Sequence, residues 1–297
     1  MKGGYIVMSE KSISVILPVY NSEKTIAECI ENALLSLREN DELIIVDDGS
    51  TDNTPNICMD YAWKCPNVVY RQLENRGLFL AKLEGIRVSR GEYISFIDAD
   101  DVCAEKRYKV MHSVAAENDA DIIFFGAIIK REGFDTKVYD SEMFPGNYSS
   151  KKIIDSFGKM LFGKLDSDDN SYTGYLWNTL IKREALCGME EYAGEKIRYY
   201  DDEIIMLHAL MKADKCVVSE KKLYRYDYSS YKAIRKKKSY GPQNWENIVT
   251  VYNLKKEMAI ENDIYNSEIK SRLSTFLGPI SFMRFIIGQD SAVPKAL

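Results

Sequence analysis

The chain has 297 residues, 45% hydrophobic and 29% charged, enough apolar side chains to bury one large core with a smaller appendage, and this excludes a disordered protein. Its formal net charge of -5 is uneven: residues 232–297 hold 11 Lys/Arg against 6 Asp/Glu, and residues 1–231 hold 29 against 39. An acidic body argues against nucleic acid as a partner, because phosphate backbones recruit basic faces, whereas a basic tail with apolar residues is compatible with an anionic membrane surface.

Met1 to Lys11 carry no apolar run long enough for a signal peptide, and no segment has the apolar length of a membrane span, so a cytoplasmic location is expected. Ile13–Val19 reads as a buried strand, and Asn21 or Ser22 is expected to cap a helix with the face Ile26, Cys29, Ile30, Ala33, Leu34 and Leu37. Leu43–Val46 is a second strand ending in Asp47-Asp48-Gly49-Ser50, and Thr54 as N-cap with Pro55 in the first turn opens a helix to about Trp63. Val68–Arg71 predicts a strand, Gly77–Val88 a helix, Glu92–Ile97 a strand running into Asp98-Ala99-Asp100-Asp101, Glu105–Glu117 a helix and Asp121–Ile129 a strand. Alternating strands and helices of this kind predict an α/β fold, with a Rossmann-like, mixed but mostly parallel sheet flanked by helices. Both acidic clusters and Pro18–Asn21 then lie at the carboxyl ends of strands, where open α/β sheets bind ligands.

From Tyr139 to Asp169 the pattern loosens around Pro145, Gly146 and Asp166–Asn170. Helical patterns return at Tyr175–Ala185, Asp202–Lys212 and Trp245–Ile260. Residues 269–288 mix Leu273, Phe276, Ile280 and Phe285 with Lys270, Arg272 and Arg284, which suits either a helix docked on the protein or one lying on lipid. Gly278-Pro279 would break a single helix there.

The six cysteines form no C-x-x-C pair and read as free, mostly buried thiols. Asp48–Asn53 fails as a calcium loop, because Asn53 replaces the turn glycine and Met59 the closing glutamate. Two histidines, His112 and His208, both in predicted helices, make a zinc site or a histidine triad improbable. No G-x-G-x-x-G follows the first strand, which removes a dinucleotide dehydrogenase.

Three carboxylates in the four residues Asp98-Ala99-Asp100-Asp101 repel one another at a strand end. A divalent cation carrying a diphosphate relieves that repulsion, since Mg²⁺ or Mn²⁺ takes one or two carboxylates and completes its shell with phosphate oxygens and water. Alone, the cluster reads better as a solvated acidic turn that caps the following helix.

Its context is the ordered set Ile16-Leu17-Pro18-Val19-Tyr20-Asn21, Val46-Asp47-Asp48-Gly49-Ser50-Thr51-Asp52, Glu74-Asn75-Arg76-Gly77, Arg90-Gly91-Glu92-Tyr93-Ile94 and Asp98-Ala99-Asp100-Asp101. Together these segments resemble the family 2 glycosyltransferases of the GT-A fold. The resemblance implies that Pro18, Val19, Tyr20 and Asn21 lie beside the nucleotide base and that Asp48 hydrogen-bonds it. It implies Asp98 towards the ribose and the metal shell, Ala99 beside it, and Asp100 as direct ligand of Mn²⁺ or Mg²⁺. Asn75 and Lys82 fall on donor-binding positions too, although Lys82 stands where the family often has arginine and so lacks a planar bidentate fork.

The second half carries weaker echoes. Leu176-Trp177-Asn178-Thr179-Leu180-Ile181-Lys182-Arg183 resembles a W-N-K-L segment, and Leu223-Tyr224-Arg225-Tyr226 an L-Y-x-Y strand. Tyr231–Lys238 suits a lid over the diphosphate, a lipid-phosphate contact or plain surface charge. Tyr200-Asp201-Asp202-Glu203 matches a G-E-D motif, which makes Asp202 the implied general base; without the family pattern the three acids would read as N-terminal helix capping. A base is needed because an alcohol is a poor nucleophile until its proton is taken.

The expected layout is a GT-A catalytic domain over residues 1–230, with a nucleotide-sugar half at about 12–130 and an acceptor half at about 131–230, followed by a basic helical extension over 231–297. The expected activity is inverting transfer from a UDP-sugar to a glycan or lipid-linked saccharide in surface-polysaccharide synthesis. Contact with the inner face of the membrane through the tail is part of that expectation, and the oligomeric state stays open. The alternative is a nucleotide-sugar-binding scaffold without turnover, suggested by Lys82 and Asp201 at departures from the pattern; a nucleotidyltransferase would show a Gly-rich basic loop that this chain lacks.

Overall fold

Alternation along each strand sets the layers. In the strand β1 (Ile13–Val19) all seven residues are buried. Ile13, Val15, Leu17 and Val19 join one apolar cluster while Ile16 joins the other, because successive side chains point to opposite faces and both faces are covered. The same split recurs in β2 (Glu42–Asp47) and β4 (Tyr93–Phe96): Leu43, Ile45 and Tyr93 face one way, and Ile44, Ile94 and Phe96 the other. The computed structural model describes residues 11–103, 106–131, 134–139, 144–156, 158–163, 174–195, 197–227 and 245–275.

The sheet has the order β3-β2-β1-β4-β9-β6-β10-β5, with β7 added to β6 and β8 to β10. Its remaining strands are β3 (Val68–Gln72), β5 (Val102–Cys103), β6 (Ile122–Arg131), β7 (Phe134–Tyr139), β8 (Gly146–Ser149), β9 (Thr179–Lys182) and β10 (Lys215–Asp227). Strands β3, β2, β1 and β4 run parallel, while beyond β4 the antiparallel β9 makes the sheet mixed. The chain therefore winds outward from β1 to β3 and then returns to place β4 on the other side of β1. That reversal opens a crevice at the carboxyl ends of β1 and β4, the switch point where such sheets take ligands.

Helices α1 (Ile26–Leu34), α2 (Thr54–Lys64) and α4 (Arg107–Asn118) contribute Ile26, Cys58 and Met111 to one face. On the other face α3 (Leu78–Val88) and α6 (Asp201–Lys212) contribute Phe79, Leu83, Ile204 and Leu207. A shorter helix, α5 (Ser150–Ser156), lies on this second face through Ile153 and Ile154. Gly85 lets α3 press on β1, since a Cβ there would run into Ile16.

Three expectations are corrected. The helix expected at Tyr175–Ala185 is a turn at 174–178 followed by β9, which pairs antiparallel with β4 and β6. Leu180 and Ile181 enter opposite clusters, so the local period is that of a strand. Neither Asn21 nor Ser22 caps α1 with its side chain: the preceding residue of that helix is Thr25, and a turn from Ser22 feeds it through its carbonyl. Thr54 is already helical, and its hydroxyl accepts the Ser22 N–H.

Helix α7 (Trp245–Glu261) and a helix at 267–275, α8, pack Val251, Met258, Ile269 and Leu273 into the same cluster as Ile204 and Leu207. Over its described part the tail is thus docked on the protein; the lid expected at 231–238 and the segment after residue 275 lie outside the described residues. No helix among the described residues is long and apolar enough to cross a membrane. Among the described cysteines Cys29, Cys58, Cys65, Cys187 and Cys216 form no disulfide.

Candidate active site

One rim of the crevice is built from the loops after β1, β2 and β3. Asn21 takes the left-handed backbone with φ of 49°, open to asparagine at small cost, and its Oδ1 accepts the Thr51 N–H at 2.8 Å while its own N–H donates to Ser50 Oγ at 2.9 Å. Asp47 is fully buried; Oδ1 accepts the Ser50 N–H at 2.8 Å and Oδ2 the Tyr70 hydroxyl at 2.8 Å. Asp48, 3% exposed, accepts the backbone N–H of Arg76 on Oδ1 and that of Gly77 on Oδ2, both at 2.8 Å. Hydrogen bonds to a charged acceptor contribute roughly 1.5–3 kcal/mol each, so Asp48 is a clamp on the 75–77 turn as well as a side chain at the rim. Gly49 makes the close approach possible: its φ is +73° and a Cβ would lie 2.8 Å from the Asn75 nitrogen. Pro18 and Val19 are buried beneath this rim, whereas Tyr20, Asn21 and Asn75 are exposed on it.

The opposite rim gathers charge. Lys82, on the inner side of α3 and only 6% exposed, donates to Asp201 Oδ2 at 2.6 Å and to Asp202 Oδ1. Asp202 also accepts the Leu176 backbone N–H. Burial pushes the Asp202 carboxyl above its usual range, and Asp201 beside it adds to the rise; Lys82 and Leu176 oppose it without cancelling it, because one ammonium serves two bonded carboxylates and Asp98 nearby. Lys82 benefits from all three, so its own pKa is raised and it stays charged.

Asp98 is reached by solvent yet closely walled by protein. That enclosure, with repulsion from Asp101, Asp202 and Asp100 against the pull of Lys82, pushes its pKa up to about 8. Asp101 points away from the crevice, is 8% exposed and accepts the Tyr224 hydroxyl on Oδ2. Burial lifts its pKa to about 6, opposed by the Tyr224 hydroxyl and by Arg107. Arg107 is fully buried beneath, 5.0 Å from the Tyr224 ring centroid, and donates to the carbonyls of Phe96 and Trp177. Glu203, next to the Lys82 cluster, has its own cation: Lys255 of α7, fully buried, which also donates to the Leu161 carbonyl.

Of the expected site residues the structure brings Lys82, Asp98 and Asp202 together, and it sets Pro18–Asn21 and Asp48 with the 75–77 turn on the facing rim. Asp100 stands exposed at the edge beside Asp98. Sequence reasoning missed Lys255 and Arg107, for which no local pattern existed. It also missed the Tyr224–Asp101 bond, for which L-Y-x-Y was the available signal. No cluster of three or more His, Cys, Asp or Glu side chains able to hold a metal occurs among the described residues. Asp98 and Asp100 nevertheless suit a cation that takes one or two carboxylates, because both are exposed at the strand end with only one residue between them.

The sequence model described as "Glycosyl transferase family 2" matches residues 14–186, more than half of the chain. Among curated proteins, the uncharacterized glycosyltransferase EpsJ of Bacillus subtilis (strain 168) is 28% identical over 214 residues, 72% of this chain and 60% of that protein. A poly(ribitol-phosphate) beta-glucosyltransferase of Bacillus spizizenii is 28% identical over 220 residues, 73% of this chain and 31% of that protein. The chain thus spans less than two thirds of the length of these relatives. Among solved structures, S. aureus TarS 1–349 in complex with UDP-GlcNAc superposes with a TM-score of 0.64 at 21% identity, covering 95% of this chain and 76% of that one, a likeness of fold.

Proposed function

This chain belongs to glycosyl transferase family 2, and from that premise we propose that it is an inverting transferase that moves a sugar from a UDP-sugar to an acceptor hydroxyl. The acceptor in this reading is a glycan or lipid-linked saccharide of a bacterial surface polysaccharide. The observation that carries it is the meeting of Lys82, from the nucleotide-side helix α3, with Asp201 and Asp202 of α6, beside Asp98 at the end of β4. The UDP-GlcNAc complex of TarS and the glucosyltransferase among the curated relatives support a UDP donor and a cell-surface acceptor.

In a single displacement the acceptor oxygen bonds to the anomeric carbon as the bond from that carbon to the phosphate oxygen breaks. The hydroxyl proton passes to Asp202, whose raised pKa makes it a stronger base than an ordinary carboxylate. Lys82 orients Asp202 and presents its charge towards the diphosphate side of the crevice. Asp48, with Pro18 to Asn21, takes the base: each Asp48 oxygen already accepts one N–H and keeps a further lone pair for an imide N–H. Asp100, with Asp98 towards the ribose and the metal shell, would hold Mn²⁺ or Mg²⁺, which supplies positive charge to the departing diphosphate.

Residues 12–130 form the donor half and 131–230 the acceptor half in this reading, with α7 and α8 as a buttress behind α6. A peripheral position at the inner face of the cell membrane is part of the same reading, supported by the excess of basic residues over 232–297. The test is UDP release from a panel of UDP-sugars with and without Mn²⁺. Metal-stimulated release is expected, and Asp202→Asn should keep UDP affinity while losing transfer by about 10²–10⁴-fold. Equal transfer in Asp202→Asn removes the base assignment; UDP-sugar binding without any release leaves a binding scaffold.

A further inference from the structure

We propose that Tyr175 is the platform on which the ring of a pyranose acceptor stacks. The inference rests on the glycosyl-transfer reading and adds to it an acceptor-binding residue and the ring form of the acceptor.

Within residues 174–178 every side is anchored except one. Gly174 has φ of +72°, and a Cβ there would lie 2.7 Å from Leu161 Cδ2 and 3.3 Å from Glu203 Cα, so the backbone is pressed against the start of α6. Leu176 is 1% exposed and its backbone N–H bonds the Asp202 carboxylate. Trp177 is 8% exposed and lies on Tyr224, ring centroids 4.3 Å apart and planes at 26°, and Tyr224 in turn bonds Asp101. Asn178 exchanges bonds with Phe125 of β6, its side-chain amide donating at 3.1 Å and its carbonyl accepting at 2.8 Å. Only Tyr175 turns outward: it is 40% exposed and rests on Trp177 at 5.3 Å and 26°.

What sets Tyr175 apart from other exposed rings is the Trp177–Tyr224 stack beneath it and its place next to Leu176, which bonds Asp202. The stack beneath fixes its plane, so a ligand meets a preformed surface and little freedom is lost on binding. One face of a pyranose carries axial C–H bonds, apolar and slightly positive, which suit the negative face of an aromatic ring. An acyclic polyol phosphate presents no such flat face. Through Leu176 the platform stands one residue from the bond that holds Asp202, so a sugar resting on Tyr175 brings its hydroxyl to the carboxylate that takes the proton.

The experiment uses the full chain with the UDP-sugar that gives the highest release, Mn²⁺, and two acceptor sets. One holds methyl β-glucopyranoside, methyl β-galactopyranoside and methyl N-acetyl-β-glucosaminide; the other holds glycerol 3-phosphate and ribitol 5-phosphate. Pyranosides should stimulate transfer and the polyol phosphates should not. Tyr175→Ala should raise the pyranoside KM by about 3- to 10-fold while UDP affinity is kept, and Tyr175→Phe, which retains the ring, should match the wild-type KM. The proposal is overturned by an unchanged KM in Tyr175→Ala, by a parallel loss of UDP affinity, or by turnover confined to the polyol phosphates. Failure of the wild type to release UDP from any donor sinks the glycosyl-transfer reading instead, and the platform with it.

Discussion

Replacing Lys82 by methionine keeps an unbranched apolar stem and removes the charge. The wild-type ammonium is 6% exposed and holds Asp201 at 2.6 Å together with Asp202. Without it two successive carboxylates of α6 face each other across a poorly hydrated space. Removing one partner of a buried pair costs about 3–5 kcal/mol; because the two carboxylates are 20% and 25% exposed, water screens part of the penalty, and a loss near the lower end, about 3 kcal/mol, is expected. The assay is urea unfolding in EDTA at pH 7.5, where the midpoint should fall with little change in slope. The pH dependence follows from sign: a carboxyl without its counterion binds protons more tightly folded than unfolded, so stability rises as pH falls. Much of the deficit should be recovered at pH 5, and Asp202→Asn in the Lys82→Met background should recover it at pH 7.5. Wild-type stability in Lys82→Met at pH 7.5, or a deficit independent of pH, would refute this account of the cluster.

Asp98, with a pKa of about 8 against 3.8 for an ordinary aspartate, binds its proton more tightly in the folded state, so in metal-free buffer its contribution to stability falls as pH rises from about 4 through about 8. Asp98→Asn should flatten that part of the profile; scanning fluorimetry at pH 5 and pH 8.5 in EDTA measures it, and a profile parallel to wild type would count against the assignment. Asp48→Asn replaces an acceptor oxygen with an amide donor opposite one of the Arg76 and Gly77 N–H groups and should cost about 1–3 kcal/mol. Hydrogen exchange checks it: the amides of residues 76 and 77 should lose protection while those of β1 keep theirs.

How much of this is legible in the sequence depends on range. From Ile13 to Ile129 the elements follow one another at short spacing, each strand is a clean apolar run, and the acidic motifs end strands, so fold class and the place of the crevice can be read directly. The strand β9 reads wrongly as helix because Leu176 and Leu180, like Trp177 and Ile181, stand four residues apart and satisfy a helical spacing too, and only the gap between β4 and β6 decides for a strand. Lys82 is legible as a cation at a position the family resemblance singles out; its bond to Asp202, 120 residues away, is not. Lys255 cannot be found at all, since its reason is Glu203, and neither residue carries a local pattern that names the other.

The distribution of cations across the crevice bears on what enters it. Asp101 is matched by Tyr224 with Arg107 behind it, Glu203 by Lys255, and Asp201 and Asp202 share Lys82, while Asp98 and Asp100 have no ion-pair partner of their own among the described residues. The unmatched pair is also the exposed one, whereas Asp101 and Lys82 are buried. A diphosphate arriving alone would meet the Asp100 carboxylate, and that of Asp98 once it ionises, before it reached Lys82. In the proposed reading, a donor accompanied by a divalent cation would reverse the sign of that encounter. The charges then predict that cation and sugar nucleotide would enter together, with Asp98 and Asp100 towards the cation and Lys82 left to the diphosphate side.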